Sequence, residues 1–526
     1  MPINYLLLVD RLFLISMLVG KSTPADDHYV AAVVEYQVSN DVSANLQNYA
    51  NLIKDASGQN ADIIVFPELT LSRGRSVVVP IHGILKDYPV PALRPDLYDE
   101  VLVTISSAAR QNAIYVVINI EELVDCTHDN SEYCPEPERY LFNTNVVFDR
   151  TGAVIDRYRK INLFGEYTRM PALQPDLGVF STDFGVKFGH FVCFDLMFQV
   201  PAVQLVDKYN LTDIIFPTMW FSEMPYLTAV QIQEAYAYSM NVNFLGAGAN
   251  NVRVGSAGSG IYSGKAGALV STMPGVPTTR LLVAKVPKVP GKVSGTYPGP
   301  IYDDPSTQDD LVLISDPSLP SHITRTLTPG FQEITLTDKD VTCHFKVRLN
   351  KRNTDTYYRY RAAAFSGVRS FSGVATGGSR LCSVVACTND TIQSCGHRFP
   401  KYVENATSVF EELEIIAEVP KPIIDEAVET TDSAYFPVSL DTAIMPLEIS
   451  EYTFEEKHTS TINIYEYKLK NFDTGLYAFG IWGRVYETDG EDATPAVDET
   501  NNGIVVRIRI VLLLLSLFVA TLKCKF

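Results

Sequence analysis

Lys187–Phe198 reads KFGHFVCFDLMF. Gly189 opens the stretch, and Phe191-Val192-Cys193-Phe194 is apolar and aromatic, the composition of a buried strand. Asp195 and Pro201 bracket the strand's end, and a helix-like run follows over Ala202–Tyr209. Open α/β sheets place their chemistry where a buried strand gives way to the next turn, and Cys193 stands there. Taken alone it would be a core thiol, because free cysteine is among the most buried residue types. Two upstream stretches change that reading.

The first is Ala61–Leu69, ADIIVFPEL, a continuous apolar strand that stops at Pro67-Glu68. A carboxylate at that edge is half desolvated, which raises its pKa and makes it a better base near neutrality. Alone, Glu68 would be a loop residue beside a proline. The second is Tyr158–Glu166, YRKINLFGE, in which Lys160 ends a strand among aromatic and apolar neighbours. A lysine so placed either pairs with a carboxylate or loses its proton.

Around these stretches strands and helices alternate, the signature of an α/β domain. Strands are expected at His28–Tyr36, Ile114–Ile120, Asp213–Trp220, Val242–Ala249 and Arg280–Val286, and a strand pair at Tyr140–Asp149 and Ala153–Ile161. Helices are expected at Asn45–Asn60, Asp96–Asn112 and Leu227–Asn241. The Gly- and Ser-rich run Gly255–Gly267 reads as a loop, and Pro287–Pro305 as a linker. Beyond it short β-like runs dominate (Gln332–Leu336, Cys343–Leu349, Thr356–Ala364, Leu476–Val485), with a helix inside Tyr402–Val419.

The order Glu68, Lys160, Cys193 resembles the nitrilase (carbon–nitrogen hydrolase) superfamily, with its Pro-Glu strand end, Tyr-Arg-Lys strand and Cys-Phe-Asp strand end. GHFVCFDLMF, FPTMWFSEMPYLTAVQ, MNVNFLGAGAN and GSGIYSG are similar to the vanin and biotinidase branch, over roughly residues 28–290 and more loosely beyond. The resemblance implies a four-layer α-β-β-α sandwich in residues 26–290, a linker at 291–310 and a smaller β-rich, disulfide-stapled domain at 311–488. It implies Cys193 as nucleophile forming a thioester, Glu68 as proton acceptor, and Lys160 beside the oxyanion with the backbone N–H of Phe194. The Lys160 ammonium would favour the Cys193 thiolate, and Glu166 matches a second acidic position. No metal or organic cofactor is needed. The implied reaction is amide hydrolysis: pantetheine first, biotinyl amides such as biocytin second. A non-catalytic surface binding protein on the same fold is the alternative from another class.

Other residues are placed by local argument. His190 lies three residues before Cys193, and positions three apart on a strand face opposite ways, so it is structural or solvent-facing. His82 and His128 fall in loops that could shape a pocket rim. Trp220 and Phe221 could wall the substrate pocket, with Phe194 beside them, and Ser259–Tyr262 could contribute backbone and Tyr262 to the acyl site.

At 526 residues, 46% hydrophobic and a formal charge of −18, the chain is globular and is no nucleic-acid binder. Residues 3–19 look like a secretory signal, with small residues for cleavage over Gly20–Ala25. Asn210, Asn389 and Asn405 head glycosylation sequons. Apart from Cys193 and Cys524, six of the eight cysteines remain, which suits three disulfides in an oxidising compartment. Cys126 is expected to pair with Cys134, and Cys343, Cys382, Cys387 and Cys395 to staple the C-terminal domain with connectivity open. The acidic strip Glu487–Glu499 reads as a solvated stalk. The apolar run Ile510–Leu522 is short for a spanning helix; it reads as a glycolipid-anchor signal, a short terminal membrane segment or a plain soluble end. The chain is thus expected to be secreted or tethered outside the cell, with a small-molecule amide as its partner and its oligomeric state open.

Overall fold

Strand β1 (His28–Gln37) shows how the first unit is layered, because successive side chains of a strand point to opposite faces. Ala31 and Val33 enter a core shared with Phe188, Ile215, Leu245 and Ile261 of a second sheet. Ala32 and Val34 enter another core with Leu46, Tyr49 and Ile53 of α1 (Val42–Gly58) and Leu102 and Ile105 of α2 (Glu100–Asn112). One strand therefore has a sheet on one side and helices on the other. The computed structural model describes residues 27–72, 74–125, 139–172, 176–352 and 355–497.

The first sheet runs β13 (Arg280–Pro287), β1, β2 (Ile63–Val65), β3 (Tyr115–Asp125), β4 (Arg139–Phe148), β5 (Val154–Arg159). The strands β1, β2 and β3 are parallel, and β13, β4 and β5 pair antiparallel at the flanks. The second runs β6 (Gly178–Ser181), β7 (Lys187–His190), β8 (Asp213–Thr218), β10 (Asn243–Asn250), β11 (Ser259–Ser263), β12 (Ala268–Thr272), β14 (Gly299–Ile301). The sheets join at one corner, where Tyr36 and Gln37 pair with Ala249 and Asn250. Outside the second sheet lie the short α3 (Gln204–Asp207) and α4 (Ala229–Met240). Helix starts follow the sequence: Asp41 accepts from Ala44 N–H, Asp99 from Val101 N–H, and Thr228 and Gln231 form a capping box. The result is the α-β-β-α sandwich.

The second unit is two antiparallel five-stranded sheets. One runs β16 (Ile323–Thr326), β19 (Arg359–Phe371), β20 (Ala375–Cys387), β27 (Leu476–Val485), β24 (Ser433–Asp441). The other runs β17 (Gly330–Asp338), β18 (Val341–Asn350), β21 (Val409–Pro420), β26 (Ile462–Leu469), β25 (Tyr452–His458). Their faces meet in ring contacts such as Tyr467 stacked on Phe479 at 3.8 Å. Cys343–Cys382 ties β18 to β20 across the sheets, and Cys387–Cys395 closes a short loop. Two small pairs complete the strands: β9 (Glu223–Met224) with β15 (Ile314–Ser315), and β22 (Ile424–Asp425) with β23 (Thr430–Thr431). Helix α4 is buried almost all round because β24 of the second unit covers the side that would otherwise face solvent, with Tyr236 stacked on Phe436.

Several expectations are corrected. The strand at Ala61–Leu69 shortens to Ile63–Val65, because Pro67 has no N–H to donate and Leu69 turns at φ +49°. The Gly255–Gly267 run contains buried strand β11: a Cβ on Gly260 would meet the Tyr262 ring at 2.4 Å, so small residues there permit close packing rather than a loop. Tyr402–Val419 holds strand β21 and no helix, its alternation of Phe410, Leu413, Ile415, Ala417 and Val419 burying one face. The supposed linker 291–310 packs on the first unit through β14 and through Gln308, which donates to Met273 O. The start of the acidic strip is likewise pinned, Thr494 N–H to Val368 O and Val497 N–H to Pro320 O. The signal segment, Cys126, Cys134, His128, Cys524 and the tail from residue 498 lie outside the described residues. No helix among the described residues is long and apolar enough to cross a membrane.

Candidate active site

Strand β7 ends at His190, earlier than expected, and Phe191-Val192 lead to Cys193 at φ +48°. That left-handed conformation is uncommon for a residue with a Cβ, and its cost, about 1–3 kcal/mol, marks a position the surroundings hold in place. A short helical turn, Cys193–Met197, begins at the thiol. Asp195 fixes this elbow. Its Oδ2 accepts from Val192 N–H at 3.1 Å and Tyr158 O–H at 2.7 Å, and its Oδ1 from Asn162 N–H at 2.8 Å and Asn162 Nδ2 at 2.9 Å. Burial pushes the Asp195 carboxyl up to about 6, against the Lys160 charge and these donors, which leaves it an acceptor at neutral pH. Tyr158 and Asn162 flank Lys160 at two residues on either side, so one carboxylate locks the lysine strand to the cysteine elbow.

Glu68, Lys160 and Cys193 come together there, all buried. Lys160 Nζ donates to Glu68 Oε1 at 2.9 Å and to Glu166 Oε1 at 2.5 Å. Glu68 Oε2 accepts from the Met219 N–H at 2.7 Å. The Cys193 thiol lies 3.7 Å from the Met219 carbonyl oxygen. Burial works against the Glu68 carboxylate, yet the Lys160 charge and hydrogen bond, with Met219 and Asn143, hold it below the usual glutamate range. Burial also works against the Lys160 ammonium, and the charges of Glu68, Cys193 and Glu166 raise it well above the ordinary lysine value. The Cys193 thiol is pushed up, by burial first and by the Glu68 charge second, with Lys160 opposing. Burial raises the Glu68 carboxyl as expected, but its partners turn the net shift downward, and Lys160 favours the Cys193 thiolate as expected, but burial and the Glu68 charge outweigh it.

Two cavities meet at Cys193 and share Phe164 and Phe221. The larger, about 1030 Å³ counted out to its mouth, is polar and holds Glu68, Lys160, Glu166 and Arg169. The smaller, about 350 Å³ counted the same way, is walled by Phe194, Trp220, Leu227 and Phe371. Phe194 and Trp220 line the smaller cavity, and Phe221 lines both. Tyr262 is buried in β11 near the Phe244 ring and lines neither cavity. His190 is buried and structural, its Nε2 2.9 Å from Asp156 Oδ2 and its Nδ1 accepting from Asn145 Nδ2 at 3.3 Å. His82 is exposed and lines neither cavity. The sequon residues Asn210, Asn389 and Asn405 are all exposed.

Some participants escaped the sequence reading. Asn143, on β4, donates through Nδ2 to Glu68 Oε1 at 2.6 Å and Glu166 Oε2 at 2.9 Å, and its own oxygen accepts from Asn119 at 2.8 Å. Its signal is the run of three consecutive polar residues, Asn143-Thr144-Asn145, inside the buried part of the strand RYLFNTNVVF. The second unit also reaches the elbow: Arg484 Nε donates to Met197 O at 2.8 Å. Among the described residues Cys193 is the free cysteine, the other four being joined in disulfides, and no cluster with metal-ligand character occurs.

Residues 30–266 match the carbon-nitrogen hydrolase family and residues 312–489 match the vanin C-terminal domain. Vanin-like protein 2 of Drosophila melanogaster is 34% identical, covering 88% of this chain and 90% of its own length. Pantetheinase of Mus musculus is 30% identical over 68% of this chain and 70% of its own, and biotinidase of Homo sapiens 27% identical over 89% and 92%. The two family matches stand side by side in one chain, and the vanin-like relative covers nearly all of it, so the chain belongs to the vanin-like family of carbon–nitrogen hydrolases.

Proposed function

We propose that the protein hydrolyses a linear amide through a Cys193 thioester, with pantetheine, cleaved to pantothenate and cysteamine, as its first substrate. The observation that carries the mechanism is geometric: Cys193 stands on a strained elbow in one buried site with Glu68 and Lys160, whose Nζ donates to Glu68 Oε1 at 2.9 Å. As Sγ attacks the carbonyl carbon, its proton passes to Glu68. Charge gathers on the carbonyl oxygen near the Lys160 ammonium and the Phe194 N–H, donors fixed in place before the reaction. Glu68 gives the proton to the departing amine as the C–N bond breaks. It then takes a proton from water as the water oxygen attacks the thioester carbon, and returns it to Sγ as the C–S bond breaks, which frees the acid and restores the thiol and the carboxylate. Glu166 and Asn143 hold Lys160 and Glu68 in register. The substrate choice rests on the pantetheinase relative, and the biotinidase relative, matched over more of the chain, favours biocytin as the second reading.

The two disulfides and exposed sequons support an oxidising, extracellular setting, and residues 510–522 are proposed to tether the protein to the membrane. The test is release of free amine from pantetheine and biocytin by purified protein lacking the tail, beside Cys193→Ala. Cysteamine released by wild type alone establishes mechanism and substrate together. Lysine from biocytin keeps the mechanism and changes the substrate, and turnover of neither by folded protein refutes both substrates.

A further inference from the structure

The smaller cavity is not built by the first unit alone. Phe371 ends β19, and a turn carries the chain to β20 with Ser372 at φ +50° and Gly373 at φ +73°, closed by Val374 N–H to Phe371 O at 2.9 Å. Two successive left-handed residues make the tight hairpin tip that follows strand twist. Phe371 and Ser372 line the cavity, and the Phe371 ring meets Phe194, the residue after the nucleophile, edge-on at 5.4 Å. A Cβ on Gly165 would lie 3.7 Å from Val374, so the tip also rests on the loop that carries Glu166.

The tip is fastened from the other side. Glu223 is buried in the cavity wall; its Oε2 accepts from Ser372 N–H at 3.0 Å and Ser372 O–H at 2.7 Å, and its Oε1 pairs with Arg369. Arg369 lies 3.4 Å from Asp316 as well. Both Glu223 oxygens are therefore occupied in holding the hairpin, and the surface offered to a ligand is aromatic.

We propose that this hairpin tip is the acyl-group gauge of the enzyme: Phe371, delivered by the second unit, sets which acyl chains fit beside Cys193. The assignment of sides rests on the thioester mechanism above. The leaving amine takes its proton from Glu68, and Glu68 and Lys160 line only the larger cavity, so the amine departs that way. The acyl carbon stays on Sγ next to the smaller cavity. The favoured substrates are amides whose acyl group is slender and apolar over the carbons nearest the carbonyl.

The experiment uses the full chain, as wild type, Phe371→Ala and Phe371→Leu, with two sets of p-nitroanilides or amides. One set varies the acyl chain from acetyl to hexanoyl on a fixed amine, and the other varies the amine on a fixed acyl group. Phe371→Ala is expected to shift the hexanoyl-to-acetyl ratio of kcat/KM by about tenfold, the scale of changes in apolar pocket fit, and to leave ratios within the amine set unchanged. Phe371→Leu, the variant to read if truncation unfolds the protein, shifts the acyl ratio less and in the same direction. An unchanged acyl ratio, or equal shifts in both sets, overturns the proposal.

A second readout does not depend on hydrolysis. S-alkyl methanethiosulfonates react with Cys193: the thiol sulfur bonds to the alkyl-bearing sulfur, methanesulfinate leaves, and the thiol proton passes to Glu68. Their chain-length preference should move toward longer chains in Phe371→Ala. If wild type cleaves no amide, the proposed function fails while these labelling rates still judge the hairpin; identical chain-length profiles in both proteins overturn it.

Discussion

Lys160 and Arg369 are both buried cations held between two carboxylates, the first by Glu68 and Glu166, the second by Glu223 and Asp316. The charge count is the same and the surroundings differ. At Arg369 the remaining acceptor capacity is consumed by backbone and hydroxyl donors, Ser372 on Glu223 and the Ser318 N–H on Asp316 at 2.8 Å. Its planar guanidinium suits a fixed multi-point contact, and the cluster locks a hairpin. At Lys160 the cation is a rotatable point charge that faces a thiol and an open cavity. Glu68 therefore has somewhere to take a proton from and somewhere to send it. A buried carboxylate–cation cluster becomes chemical through what its open side faces, not through its charges.

Mutation breaks this contrast at different strengths. Cys193→Ala should abolish amide turnover and Cys193→Ser should lose orders of magnitude, measured on purified folded protein; near-normal rates would remove the thiol from the mechanism. Lys160→Ala should lower kcat by about 100-fold or more, as loss of an oxyanion donor does. Arg369→Met should act on the other cluster: unfolding in denaturant should show a loss of about 3–5 kcal/mol, because two buried carboxylates lose their partner, while kcat on a short acyl amide changes far less than in Lys160→Ala. If Arg369→Met instead matches Lys160→Ala in kcat and leaves stability alone, the two clusters are not separate in role.

The smaller effects concern protons. In the native protein the Glu68 carboxyl is depressed, so its charged form stabilises the fold above the ordinary glutamate value, and that contribution is lost as pH falls through the depressed value. The acid limb of kcat/KM should accordingly lie below the usual glutamate range. Asn143→Leu removes one donor to Glu68 and should move that limb upward, with kcat reduced by less than the ~100-fold that marks the low end of the whole acid–base contribution. Glu68→Gln should lower the Cys193 thiol pKa, because the repelling charge goes and Lys160 stays, even as turnover collapses; the pH dependence of alkylation at Cys193 reads this directly.

The sequence exposed the parts of the site that lie on local pattern. Glu68, Lys160 and Cys193 each follow the end of a strand within three residues, and such ends are visible in composition. Their electrostatic state was not visible. Desolvation of Glu68 was legible and points toward a raised pKa, but its sign is reversed by a lysine 92 positions away. Asn143 looks like one of three consecutive polar residues on a buried strand until β4 is laid beside β3 and β5. Phe371 carries no sign of function in its own neighbourhood, because its role comes from packing against Phe194. The Gly-rich run at 255–267 misled in part: Gly255, Gly258, Gly264 and Gly267 do take positive φ, but Gly260 lies inside β11, where the Tyr262 side chain of the same strand fills the space of a Cβ.

The hydrogen bond from Arg484 to Met197 has a consequence in time as well as space. A ribosome releases Glu68, Lys160 and Cys193 long before Phe371 and Arg484, and early domains fold first. A chain synthesised only as far as residue 290 carries the reactive groups without the wall and brace that the later half supplies. The later half thus adds selection and bracing to reactive groups already made, so unfinished molecules carry those groups without the means to choose what they act on.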